Sequence, residues 1–215
     1  SRSIHNIPAM YGVLYAGCFY APMDISMPSQ RLEQLLGLLQ PSVILADQRG
    51  RRALEDLDEW KRGTVLDYDA ASETPWEEGR LDQVRQKASV YDPMSVLYTS
   101  GSTGIPKGSV QTQFSYIHWT EATIAAYGFD EQEVFGNQSP FFYANSIIDI
   151  FPPVALGAAV YLLPSGILNF PKKFVECLNR NRVTELTMTP SSFIGAASGG
   201  VLKKGCLPCL RYGIM

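Results

Sequence analysis

Residues 94–108 read MSVLYTSGSTGIPKG. The first half has the length and branching of a buried strand. The second half must leave the sheet at once, because glycine, serine and threonine alternate up to a proline and a lysine. Gly101 and Gly104 allow backbone angles that other residues avoid, and they let a ligand approach the main chain closely. Successive N–H groups in such a turn form a concave anion site. Thr99, Ser100, Ser102 and Thr103 add hydroxyl donors, Lys107 adds a mobile cation, and Pro106 restrains the exit. The candidate phosphate-binding residues are therefore Thr99, Ser100, Gly101, Ser102, Thr103, Gly104 and Lys107. Two familiar nucleotide loops do not fit. A Walker loop carries Gly-Lys-Ser/Thr at a helix start, whereas the order here is Pro-Lys-Gly, and no GxGxxG occurs in this stretch. A Ser/Gly linker is disfavoured by the strand before the loop and the helix expected after it.

The rest of the chain alternates helical and extended patterns, which predicts a layered α/β architecture with helices around mixed β-sheets. Helices are expected over 7–17, ending at Gly17, and over 28–39, with Leu32, Leu35, Leu36 and Leu39 on one face. SVILAD (42–47) predicts a buried strand, RRALEDLDEWK (51–61) a helix and TVLDY (64–68) a strand. Residues 69–90 are polar and predict a surface excursion. A long helix is expected over 114–128. A strand and turn over 133–141 follow, and then 147–156, 158–164, 171–181 and 183–190 continue the alternation.

Composition removes several function classes. With 18 basic against 21 acidic residues the chain has a net charge of −3, so no basic surface for nucleic acid is expected. The apolar stretch near 143–163 is broken by Asn145, Ser146, Asp149 and prolines, short of the roughly 18 uninterrupted apolar residues of a membrane span. No export leader is expected, and the location read from these features is cytoplasmic. Cys18 and Cys177 sit in apolar contexts and are expected to be buried. Cys206 and Cys209 form a lone CLPC without the other ligands a zinc site needs, so no metal ligands are assigned.

Three stretches together resemble one family. VLYTSGSTGIPKG resembles the signature loop of the adenylate-forming (AMP-binding) superfamily. LYAGCFYAPMD (14–24) resembles an upstream motif of its amino-acid adenylation domains. NQSPFFYANSIIDIF (137–151) with LGAAVYLLP (156–164) resembles a downstream one. The nearest flavour is the nonribosomal peptide synthetase adenylation domain and the D-alanine–carrier-protein ligase. The resemblance implies an enzyme that uses ATP and Mg2+ to activate a carboxylic or amino acid as an acyl-adenylate, then passes it to the thiol of a phosphopantetheinyl carrier protein or CoA. It implies that the loop at 99–107 grips the β- and γ-phosphates, and that Ala144, Asn145, Ser146, Ile148 and, at the end of the 183–190 stretch, Thr189 line the acyl pocket. Neither nucleic acid nor membrane is an expected partner.

The chain departs from that pattern in three places. Amino-acid-activating relatives commonly carry aspartate where Ala144 stands, pairing with the substrate ammonium. Losing the partner of a buried charge costs on the order of 3–5 kcal/mol, over a hundredfold in affinity, so an aryl, hydroxy or keto acid is expected to fit better than an ordinary α-amino acid unless another acidic group supplies the charge. Gln113 stands where many relatives carry histidine, and His118 is expected to be a packing or surface residue on its helix. Finally, the family's adenine, ribose and hinge motifs and its small C-terminal domain with the adenylation lysine are not found in residues 1–215. The expectation is an incomplete large N-terminal domain: residues 1–90 part of a first subdomain, 91–215 the phosphate loop and acyl pocket, no complete catalytic set, and an isolated chain that is inactive. A non-catalytic binding or scaffold module of the same fold is the alternative.

Overall fold

The structure is a computed structural model that describes residues 3–57, 63–99 and 106–215. These divide into two units, residues 3–113 and 114–215.

In the first unit, α1 (Asn6–Tyr15) is ended by Gly17 in the left-handed region at φ 72°, where the sequence places its stop. That turn leaves Cys18 exposed rather than buried as expected. Helix α2 (Ser29–Leu39) buries Leu32, Leu35 and Leu36. Leu32 and Leu36 form a core with Leu57, against which Met23, Met27, Ile44 and Leu54 pack. Strand β1 (Val43–Ala46) runs parallel to β2 (Thr64–Asp67), with α3 (Gln48–Glu55) between them. Helix α3 starts three residues before the expected position because the Asp47 carboxylate accepts from Gly50 N–H at 2.7 Å, a side-chain N-cap. The end of the expected 51–61 helix lies among residues 58–62, outside the described ones. Strand β1 is not fully buried as expected. Among the described residues β2 is its one sheet neighbour, and Val43 stays 52% exposed. The polar stretch 69–90 carries α4 (Tyr68–Glu73) and α5 (Glu78–Lys87), neither of which has a buried residue. Their Arg80–Glu77 and Arg85–Asp82 pairs are open to solvent and contribute little.

Strand β3 (Pro93–Thr99) stays with this unit. Tyr20 N–H donates to Met94 O at 3.2 Å, and Val96 N–H donates to Tyr20 O at 2.9 Å. On its other edge β3 pairs antiparallel with β4 (Lys107–Thr112).

In the second unit, α6 (Gln113–Tyr127), whose first residue closes the first unit, leads to β5 (Val134–Asn137). Then follow a 3-10 helix (Ala144–Asp149), α7 (Phe151–Leu156), β6 (Ala159–Leu162), α8 (Pro171–Arg180), β7 (Glu185–Thr187), α9 (Pro190–Ser198) and β8 (Tyr212–Ile214). The four strands form one parallel sheet in the order β6-β5-β7-β8. Strand β7 is shorter than the expected 183–190, because Pro190 opens α9. One core holds Leu163, Phe174, Leu178, Val183, Leu186, Met188 and Ala196, and another holds Phe129, Phe135 and Ile148. Full burial of side chains such as Phe174 and Leu178 stabilises by about 1.5–3 kcal/mol each. Gly136, on the central strand, lets β5 and β7 approach. A Cβ there would meet Val183 Cγ1 at 2.8 Å and the Glu185 carbonyl oxygen at 3.2 Å. Gly136→Ala should therefore destabilise the unit by about 1–3 kcal/mol, read as a lower urea midpoint with an unchanged slope.

Candidate functional site

The candidate phosphate-binding stretch connects the two strands of a β-hairpin. Thr99 and Lys107 are register partners across β3 and β4, with the Thr99 hydroxyl 3.5 Å from the Lys107 carbonyl oxygen. Both residues are exposed and Pro106 is buried. Ser100, Gly101, Ser102, Thr103 and Gly104 lie outside the described residues. The sequence predicts a helix after the loop, yet β4 intervenes before α6 begins. KGSVQT carries a single large apolar residue, Val110, so the strand is defined by its pairing with β3. Gly108 follows the lysine for a steric reason: a Cβ there would lie 2.9 Å from Val96 Cγ1 and 3.3 Å from the Tyr98 ring. Burial of Tyr98 in turn pushes its phenol above the ordinary value. Lys107 thus projects from a paired strand, next to a stretch rich in hydroxyls and N–H groups.

The candidate acid-binding residues sit in the second unit, beyond the carboxyl ends of its strands. β5 leads through the 3-10 helix and α7 to β6 on one side, while β7 and β8 lie on its other side. The chain direction therefore switches between β5 and β7, which is where open α/β sheets place ligands. The 3-10 helix packs against both strands, and Thr189 follows β7. Ala144 and Asn145 are exposed at the start of the 3-10 helix. Ser146 is buried, and its hydroxyl donates to the Tyr143 carbonyl oxygen at 2.7 Å. Ile148 packs with Phe129 and Phe135 in the core. The Thr189 hydroxyl caps α9, accepting from Ser192 N–H at 3.3 Å and donating to Ser192 Oγ at 2.9 Å. Ala144, Asn145 and Thr189 thus share the carboxyl edge of the sheet, whereas Ser146 and Ile148 turn inward and hold the segment.

One contact at this edge is not legible in the sequence. The Asn137 amide donates to Asp149 Oδ2 at 2.8 Å and to the Ser139 carbonyl oxygen at 3.0 Å, with Asn137 and Asp149 both fully buried. It ties the end of β5 to the end of the 3-10 helix, closing the segment that presents Ala144 and Asn145. Gln113 opens α6, its N–H donating to Asp92 O at 3.1 Å. His118 lies exposed, parallel to Phe114 with centroids 5.9 Å apart. Cys177 is half-buried, 3.4 Å from the Tyr161 hydroxyl. Among the described residues no helix is long and apolar enough to cross a membrane.

A parallel sheet with its candidate pocket at the strand-order switch defines the second unit as α/β, and the first unit carries the hairpin with the candidate anion-binding stretch. The sequence profile of AMP-binding enzymes matches residues 1–214. The L-proline–[L-prolyl-carrier protein] ligase of Streptomyces coelicolor is 30% identical over 223 residues, covering 95% of this chain and 41% of the relative. The D-alanine–D-alanyl carrier protein ligase of Staphylococcus haemolyticus is 28% identical, over 88% and 37% respectively. Among solved structures, a nonribosomal peptide synthetase in its AMPPNP-bound form superposes with a TM-score of 0.79 at 25% identity, over 96% of this chain and 21% of that one. The o-succinylbenzoate CoA synthetase of Bacillus subtilis shares the fold at a TM-score of 0.78 and 18% identity, over 99% of this chain and 53% of that one. The chain belongs to the AMP-binding enzyme family. It spans between 4% and 41% of the length of the first curated relatives it matches.

Asp149→Ala removes the acceptor of a buried amide and should destabilise by about 1–3 kcal/mol. Asp149→Asn, which keeps a carbonyl oxygen for Asn137, should restore most of that loss, as checked by urea titration of the two variants.

Proposed function

We propose that this chain supplies the triphosphate loop and part of the acid-binding surface for an ATP-dependent adenylation reaction, in which the product acyl-adenylate passes to a thiol of a phosphopantetheinyl carrier protein or CoA. The family match across residues 1–214, on a loop whose ends Thr99 and Lys107 are paired, is the observation that carries this reading. The relatives named as carrier-protein ligases support the acceptor.

In this reaction the substrate carboxylate oxygen bonds to the α-phosphorus of ATP. The bond from that phosphorus to the bridging oxygen breaks, and the electron pair leaves on pyrophosphate. Charge therefore grows on the β- and γ-phosphates. Lys107, the hydroxyls of Thr99, Ser100, Ser102 and Thr103, and the main-chain N–H groups of Gly101 and Gly104 would stabilise that charge as it develops. The donor set suits a polyanion. Mg2+ would supply further neutralisation, held largely by the triphosphate oxygens, as a hard cation prefers.

Ala144, Asn145 and Thr189 would face the acid, with Ser146 and Ile148 fixing the segment from behind. At Ala144 the side chain offers no charge for an α-ammonium. Asp149, the one carboxylate of the same helical segment, is fully buried and holds Asn137. The acid that fits best therefore lacks an α-ammonium: an aryl, hydroxy or keto acid. The proposed reaction is cytoplasmic.

Lys107→Ala should weaken triphosphate affinity by about tenfold to a hundredfold, the effect of one charge-assisted contact, as read by calorimetry with ATP. In an active enzyme carrying these residues, acid-dependent pyrophosphate exchange should be driven by acids without an α-ammonium. Strong exchange with a standard α-amino acid, and none with such acids, would overturn the substrate class. The 215-residue chain alone spans a minor part of its relatives and should show no exchange, with ATP binding weaker than micromolar. Exchange by the chain alone would refute that statement.

A further inference from the structure

Charges that the adenylation reading does not use lie at the sheet edge opposite the candidate acid-binding residues. β5, β7 and β8 are parallel, so their first residues share one edge. Glu133, Glu185 and Arg211 stand there. Glu133 is 1% exposed and Glu185 0%. Arg211 Nη1 donates to Glu133 Oε1 at 2.6 Å and Nη2 to the Tyr212 hydroxyl at 3.2 Å, with the arginine side chain half open to solvent. Glu185 Oε1 accepts from the Thr187 hydroxyl at 2.7 Å. The Oε2 atoms of Glu133 and Glu185 are both buried without a hydrogen-bond partner.

The register explains the setting. Glu185 lies between Phe135 on β5 and Tyr212 on β8, and register partners in a sheet share a face. Phe129 closes the same face, edge-on to both rings at 5.1 and 4.9 Å. Two buried carboxyls thus lie at this edge among aromatic rings, and one of them, Glu133, pairs with the Arg211 guanidinium. A second full negative charge there would cost several kcal/mol.

We infer that Glu133 and Glu185 act as a carboxyl–carboxylate pair with a single negative charge, the proton on Glu185 and the charge on Glu133 facing Arg211, and that ionising Glu185 loosens the β5-β7-β8 edge. The groups around Glu185 are Glu133 before β5, Thr187 on its own strand, and Arg211 and Tyr212 at β8. The 3-10 helix packed against β7 brings Asp149, which holds Asn137. Burial, joined by the negative charge of Glu133 and opposed by the Thr187 hydrogen bond, pushes Glu185 up to about 7 from an ordinary 4.5. Between those values the folded chain binds the extra proton, so stability present below the unfolded value is lost as pH rises through the folded one.

The test is urea unfolding of the chain and of Glu185→Gln from about pH 5 to about pH 9. Glutamine keeps an acceptor for Thr187 and removes the ionisation. The wild-type unfolding constant should rise by about a hundredfold relative to the variant across this range, leaving the variant the more stable above about pH 8. Parallel curves would overturn the inference. If the variant does not fold, carboxyl-carbon NMR of the wild-type chain decides. Titration of Glu185 near neutrality supports the shared charge, and titration at the ordinary carboxylate value overturns it. Glu133→Gln should move the Glu185 titration down, and an unmoved titration would show that the two carboxyls do not form a pair.

Discussion

The parallel pairing of β5 with β7 is the constraint on which the second unit depends. Phe135 pairs with Glu185 and Gly136 with Leu186, and this one register sets the rest. It sends Leu186 into the core with Phe174 and Leu178, and it puts Glu185 among Phe135, Phe129 and Tyr212. It also requires glycine at 136, where the neighbouring strand leaves no room for a Cβ. Because the strands run the same way, the carboxyl edge gathers Asn137, the 3-10 helix and Thr189. The amino edge gathers Glu133, Glu185 and Arg211. The candidate acid-binding residues and the Glu133–Arg211 ion pair thereby lie at opposite ends of the same strands.

The phosphate stretch follows a different logic. Many nucleotide loops run from a strand into a helix whose N-terminus helps to hold the anion. Here β3 turns back through β4, and the described ends of the loop are two paired residues, Thr99 and Lys107. The backbone of Lys107 is held by the ladder, and its side chain is exposed.

The 3-10 helix depends on short contacts behind it. Ser146 closes onto the Tyr143 carbonyl, Ile148 enters the core, and Asp149 takes the Asn137 amide. Two exposed positions, Ala144 and Asn145, are what remains on the outer side.

The sequence alone was enough for the family and for many of the helices and strands, though not for α4, α5, β4 or α9. Those depend on local periodicity, on stop signals such as Gly17, and on the uninterrupted stretch from Met94 to Gly108. The family's signature stretch was recognisable for the same reason, since its residues are contiguous. Several features came only with tertiary structure. Strand β4 is short and half polar, so its identity comes from pairing with β3. The α3 start moved because Asp47 caps it, and Cys18 turned outward because Gly17 redirects the chain. The Asn137–Asp149 bond and the Glu133–Glu185–Arg211 cluster join residues 12, 52 and 78 positions apart. Their partners are chosen by strand order and register, which no local pattern encodes.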